Sequence, residues 1–324
     1  MESIDVLVVR PPQVITEPTS YRVRSYDITL TTFLQNKGIE SRYLNADFLR
    51  NPRPFQYESF KKYFRFIYKS RDVKKEFFST NNKKFLNLMK NIRKYKPRIV
   101  LFIPKDIYHI DSINFASKLI KEHYPDIKIV VESFVNNVEI NKIFLNKGVD
   151  FVILTNLINT LTVAPLLIRK LLDEERKFSE LPNLLYKENG YIKVSPIDTT
   201  STQINSDYLP IPDRELVIDR KYYPPSSLGH VLVSIGCKYR CKFCVVANSG
   251  VLLRSPSLIL KEIKEVYDIY GVRDFCFDTP TITQEREHAL KLFKELKESN
   301  LDILWGSYAN AVDLYIDIKN YNSK

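Results

Sequence analysis

The stretch Gly236-Cys237-Lys238-Tyr239-Arg240-Cys241-Lys242-Phe243-Cys244 constrains this chain more than any other. Three of its four cysteines in 324 residues fall here, directly after the apolar run Val231 to Ile235. Spacings of three and then two residues let the thiolates turn inward from one short loop, and zinc and iron–sulfur clusters both select such soft donors. Structural zinc closes its tetrahedron with four protein ligands. The nearest further candidates, His230 just before the strand and Cys276 far downstream, are poorly placed to serve as the fourth. Three thiolates leave one iron of a four-iron cluster without a protein ligand, and a zinc knuckle is the competing reading of the same residues.

Length bounds the rest: 324 residues with 44% hydrophobic content allow about two domains with real cores. The N-terminus Met1-Glu2-Ser3-Ile4-Asp5 lacks a basic region followed by an apolar one, and no apolar run reaches the length of a membrane span. A cytoplasmic protein with no membrane contact is expected. Four cysteines, three of them clustered, do not make a disulfide framework, so a reducing compartment and metal chemistry are the better reading.

The net charge of +11 is concentrated rather than spread. Between Arg53 and Arg98 stand 15 Lys/Arg residues against Glu58, Asp72 and Glu76, so the remainder is close to neutral. Aromatics interleave with these bases in Phe60-Lys61-Lys62-Tyr63-Phe64-Arg65-Phe66. Such a segment either binds nucleic acid weakly through stacking and phosphate contacts or is a helical insertion with a solvated basic face.

Strand and helix patterns alternate on both sides of that insertion. Ile4–Val9, a helix Tyr26–Asn36 stopped at Gly38, and Ile39–Leu44 begin the series. Ile99–Ile103, Ile127–Val131 and Phe151–Leu154 continue it as buried parallel strands, with helices near Ser112–His123, Val138–Asn146 and Leu161–Arg176. The expectation is an α/β protein opening on a flavodoxin/Rossmann-like doubly wound parallel sheet. Asn189-Gly190 between short apolar runs marks a hairpin, and the Ser/Thr/Asp/Pro-rich stretch from Ser195 to Leu228 reads as a linker. From Val231 the alternation restarts, with strands Val231–Ile235, Arg273–Asp278 and Asp302–Trp305 and helices Pro256–Tyr270, Gln284–Ser299 and Ala309–Asn320.

The C-x3-C-x2-C spacing with Phe243 before the last cysteine resembles the signature of the radical S-adenosylmethionine (radical SAM) superfamily. The resemblance continues through Leu253-Arg254-Ser255-Pro256 and Phe275-Cys276-Phe277-Asp278-Thr279, and points to the class with an N-terminal cobalamin (B12)-binding-like domain. It implies residues 1–178 as that domain, with the basic helical insertion at about 53–98. It further implies 179–229 as hairpin and linker, and 230–324 as the first half of a partial (β/α) barrel of about three units where relatives have six.

From the same resemblance, Cys237, Cys241 and Cys244 are expected to ligate a 4Fe–4S cluster whose open iron takes S-adenosylmethionine. Phe243 would pack near the adenine, and Asp278 with Thr279 would face the ligands; for Asp278 a loop or helix-cap role is the equal alternative. An external electron donor would drive reductive cleavage to a 5′-deoxyadenosyl radical, for methyl transfer or another radical modification of an unknown substrate. Cobalamin is a further cofactor that the resemblance allows. However, its D-x-H-x-x-G signature is absent, and the place of a Gly-Gly after the fourth strand reads Glu132-Ser133-Phe134. His109 reads as a loop or core histidine and Cys276 as a structural thiol. The methylthiotransferase arrangement, with a second cluster in the N-terminal domain, is excluded because no cysteine precedes Cys237. Two readings of the whole stand at this stage: an enzyme whose barrel a second chain completes, or a truncated, non-catalytic iron–sulfur or nucleic-acid-binding adaptor.

Overall fold

Val6–Arg10 (β1), Ser41–Asn45 (β2), Ile99–Phe102 (β3), Lys128–Glu132 (β4) and Phe151–Ile153 (β5) are parallel strands in the order β2-β1-β3-β4-β5. The structure, a computed structural model, describes residues 3–13, 22–48, 77–105, 109–133, 137–154, 157–198, 209–244 and 246–314. Alternation along β1 divides two cores. Val6 and Val8 face Ile28, Leu30 and Leu34 of helix α1 (Ser25–Asn36), whereas Leu7 and Val9 face Phe85, Leu88 and Ile92 of α2 (Lys83–Tyr95). Helices α3 (Ile110–His123) and α4 (Val138–Leu145) share the α2 face, and α5 (Leu157–Leu172) shares the α1 face. Covering both faces is what lets strands this apolar exist in water.

Strands β6 (Leu184–Glu188) and β7 (Tyr191–Val194) extend this sheet antiparallel beyond β5. Asn189 and Gly190 both have positive φ, 52° and 82°, as a two-residue hairpin turn requires. Segment 209–229 packs back on both parts of the chain. Ile218 N–H donates to Tyr43 O beyond β2, and the buried Arg214 guanidinium donates to Leu228 O, His230 O and Glu262.

A second sheet is parallel throughout, with β11 (Asp274–Asp278) between β8 (His230–Leu232) and β12 (Leu304–Ser307). The apolar run expected as one strand, Val231–Ile235, is in fact two. At Val233 the chain leaves the sheet, and Ser234–Ile235 (β9) pairs antiparallel with Leu252–Leu253 (β10). Helix α6 (Pro256–Tyr270) starts where Ser255 Oγ accepts from Leu258 N, with proline in its first turn, and ends at Gly271 with φ 65°. Helix α7 (Arg286–Glu298) follows β11.

Of the helix expected at 309–320, residues 311–314 are helical and 315–320 lie outside the described residues; so do 53–76 of the basic insertion. Among the described residues no helix is long and apolar enough to cross a membrane.

Candidate functional site

The cysteine loop is the connection between the antiparallel strands β9 and β10, so both of its ends are fixed. Gly236 opens it at φ 82°, where a Cβ would stand 2.0 Å from Gly250 O at the closing end. Only glycine allows that approach. Inside the loop Cys237 N–H donates to Ser249 Oγ (3.2 Å), Asn248 N–H to Tyr239 O (2.8 Å) and Cys244 N–H to Cys241 O (3.1 Å). Gln284, fully buried, staples the loop from outside. Its Nε2 donates to Ser234 Oγ (3.0 Å) and Gly236 O (3.3 Å), and its Oε1 accepts from Lys238 N (3.4 Å). Tyr239 Oη donates to Asp313, which also accepts from Thr283 Oγ1.

Cys237 is buried, Cys244 half-buried and Cys241 exposed. Among the described residues, the one group of three or more His, Cys, Asp or Glu ligand atoms within 4.8 Å of one another is His230, Cys276 and Asp278. The Sγ atoms of Cys237, Cys241 and Cys244 are not all within that distance of one another. Phe243, expected beside an adenine, is 91% exposed at the loop.

The carboxyl ends of β1, β8 and β11 meet in a cleft of about 300 Å³ bounded by Gly236, so the cysteine loop forms part of its wall. Carboxyl ends of parallel strands are where α/β folds place ligands. On β11, Phe275 and Phe277 point into the core while Cys276 and Asp278 face the cleft, and His230 is the direct partner of Cys276 across the sheet. Cys276, expected as a structural thiol, thus lines the cleft; alternation on the strand decides this. Burial, with the Asp278 carboxylate beside it, pushes the Cys276 thiol up.

Asp278 Oδ1 lies 2.9 Å from His230 Nδ1, and Oδ2 accepts from Ser25 N–H (3.3 Å) and Oγ (2.5 Å) at the start of α1. Burial alone would raise this carboxyl, but His230 and Ser25 outweigh it and hold the group below its ordinary value. Asp278 therefore serves as a helix cap and borders the cleft at the same time. The Thr279 hydroxyl is engaged inward, 2.5 Å from Ser234 Oγ, and donates to Thr281 O.

Sequence reasoning missed Gln284, which carries no motif, and the basic residues Arg10, Arg22, Arg24 and Lys105, which line the same cleft. A larger hollow of about 820 Å³ lies at the amino ends of β3–β5, away from all of these groups.

No family model matches the chain. Over 147 residues, 43% of its length, the chain is 30% identical to an uncharacterized methyltransferase of Pyrococcus horikoshii, and the match spans 32% of that protein. Over 83 residues, 25% of its length, it is 32% identical to the cytidylyl-2-hydroxyethylphosphonate methyltransferase of Streptomyces wedmorensis, spanning 16% of that protein. The chain thus matches a third or less of the length of two curated relatives, and both are named methyltransferases.

Proposed function

We propose that the chain binds a 4Fe–4S cluster through Cys237, Cys241 and Cys244, takes S-adenosylmethionine beside it, and acts in methyl transfer to a substrate held in the adjoining cleft. The observation that carries this reading is the build of the loop: three thiols in C-x3-C-x2-C spacing on a connection pinned at both ends and opening on the cleft. Cysteine thiolates are the donors that hold iron–sulfur clusters. The methyltransferase names of both relatives support the reaction class. In this reading residues 230–324 carry the cluster and residues 1–178 form the facing wall.

Bound there, the cluster and S-adenosylmethionine would supply reductive chemistry at the sulfonium, fed by an external electron donor. The chain's own contribution is positional. Gly236 and Gln284 fix where the thiolates leave the sheet, and the Asp278 carboxylate holds the proton of His230 on Nδ1. Cobalamin does not fit the residues present. No glycine follows any of β1 to β5 at its carboxyl end, where a corrin needs close backbone approach. His109, the histidine nearest that edge in sequence, is fully buried.

Anaerobic reconstitution tests the reading. About four irons per chain are expected, together with cleavage of S-adenosylmethionine under reducing conditions, and Cys241→Ala abolishes both. Stoichiometric zinc with no iron would refute it.

A further inference from the structure

Arg10, at the carboxyl end of β1, is 2% exposed and lines the cleft, yet among the described residues its Nε has no hydrogen-bond partner. Its one described bond runs from a terminal nitrogen to Arg22 O at 3.4 Å. A guanidinium seldom enters a protein interior without an anion or a full set of acceptors. Arg22, Arg24 and Lys105 stand on the same wall.

The acidic groups facing them are fewer. Asp27 lies 3.5 Å from Arg24, and its charge also acts on Arg10 without a hydrogen bond between them. Glu132 is pushed up to about 7 by burial, and Asp278 is engaged by His230 and Ser25. Four basic side chains reach the cleft from three segments: β1, the entry to α1, and the end of β3. A planar carboxylate is satisfied by one guanidinium fork, whereas basic groups arriving from several directions suit the oxygens of a tetrahedral anion.

We propose that this wall binds a phosphoryl or phosphonyl group of the substrate, with Arg10 as its buried anchor. The proposal rests on the cleft being the substrate site. Its test needs no cluster, so failure here leaves the iron and S-adenosylmethionine results standing, and the reverse.

The full chain is titrated calorimetrically with inorganic phosphate, methylphosphonate, acetate and glycerol. Phosphate and methylphosphonate should bind in the millimolar range or better, acetate about tenfold more weakly, and glycerol not at all. Arg10→Gln and Arg22→Gln should each weaken phosphate binding by about tenfold or more. Arg22 is exposed, so that variant keeps the fold even if the buried change does not. Arg98→Gln, at the opposite end of the sheet, should bind as the parent does. Absence of phosphate binding, equal affinity for acetate, or unchanged binding in Arg22→Gln would overturn the proposal. Displacement of phosphate by hydroxocobalamin would also overturn it, by assigning the wall to a cofactor.

Discussion

Glu132 ends β4, and its Oε1 accepts from Oη of the cleft-lining Tyr26 at 2.8 Å. Burial raises its carboxyl from 4.5 to about 7, against the opposing pull of Tyr26 and Thr160. The folded state therefore holds this proton more tightly than the unfolded chain does. Its stabilising effect is complete below the unfolded value and is lost as pH rises between about 4.5 and about 7, to a total of about 3 kcal/mol. Glu132→Gln should remove that loss. Urea midpoints at about pH 5 and about pH 7.5 should separate for the parent and move together for the variant; a parent and variant that lose stability equally would mean that Glu132 is ionised in the folded state throughout. At this scale the sequence is legible where residues carry a local pattern. The three cysteines announce themselves by spacing, whereas Tyr26 lies 106 positions from Glu132 and Ser25 253 positions from Asp278, and neither pairing left a local signal.

The cysteine loop shows what an element adds to its residues. Its register depends on β9 and β10 pairing across the base, and that pairing depends on Gly236 meeting Gly250 backbone to backbone. Continuous apolar character made Val231–Ile235 read as one strand, because hydrophobicity does not record the change of partner at Val233. The turns were better signalled: Asn189-Gly190 closes β6 and β7 as its composition implies.

Two glycines of equal φ make a controlled comparison. Gly190→Ala has open space around the added carbon and should cost about 1–2 kcal/mol of local strain with iron uptake intact. Gly236→Ala adds a clash with Gly250 O and should cost most of the iron retained after reconstitution, with far-UV circular dichroism unchanged. Equal iron content in the two variants would show that the loop does not depend on that close approach.

At the scale of the whole chain, the two sheets share one apolar core. It runs from Leu30 and Leu34 of α1 and Leu167 of α5 to Val231, Ile259 and Phe277 of the second sheet. Asp278 on Ser25 adds a polar tie across the same boundary. A sequence divided at 178 and 230 gives no hint of this, since the elements that join are far apart along the chain.

The consequence is cooperative unfolding, which chains of this length often lack. Trp305, the one tryptophan in the sequence, stacks between Phe277 and Phe293 at 5.1 Å from each, in the second sheet. Its fluorescence reports that sheet, while circular dichroism reports both. In urea the two transitions should coincide. Ser25→Ala should lower both midpoints together, through a loss of about 1–3 kcal/mol of stability, because it leaves a half-buried carboxylate short of a donor. A tryptophan transition that comes clearly first would mean that the second sheet unfolds alone, and that the shared core is a contact between two independent units.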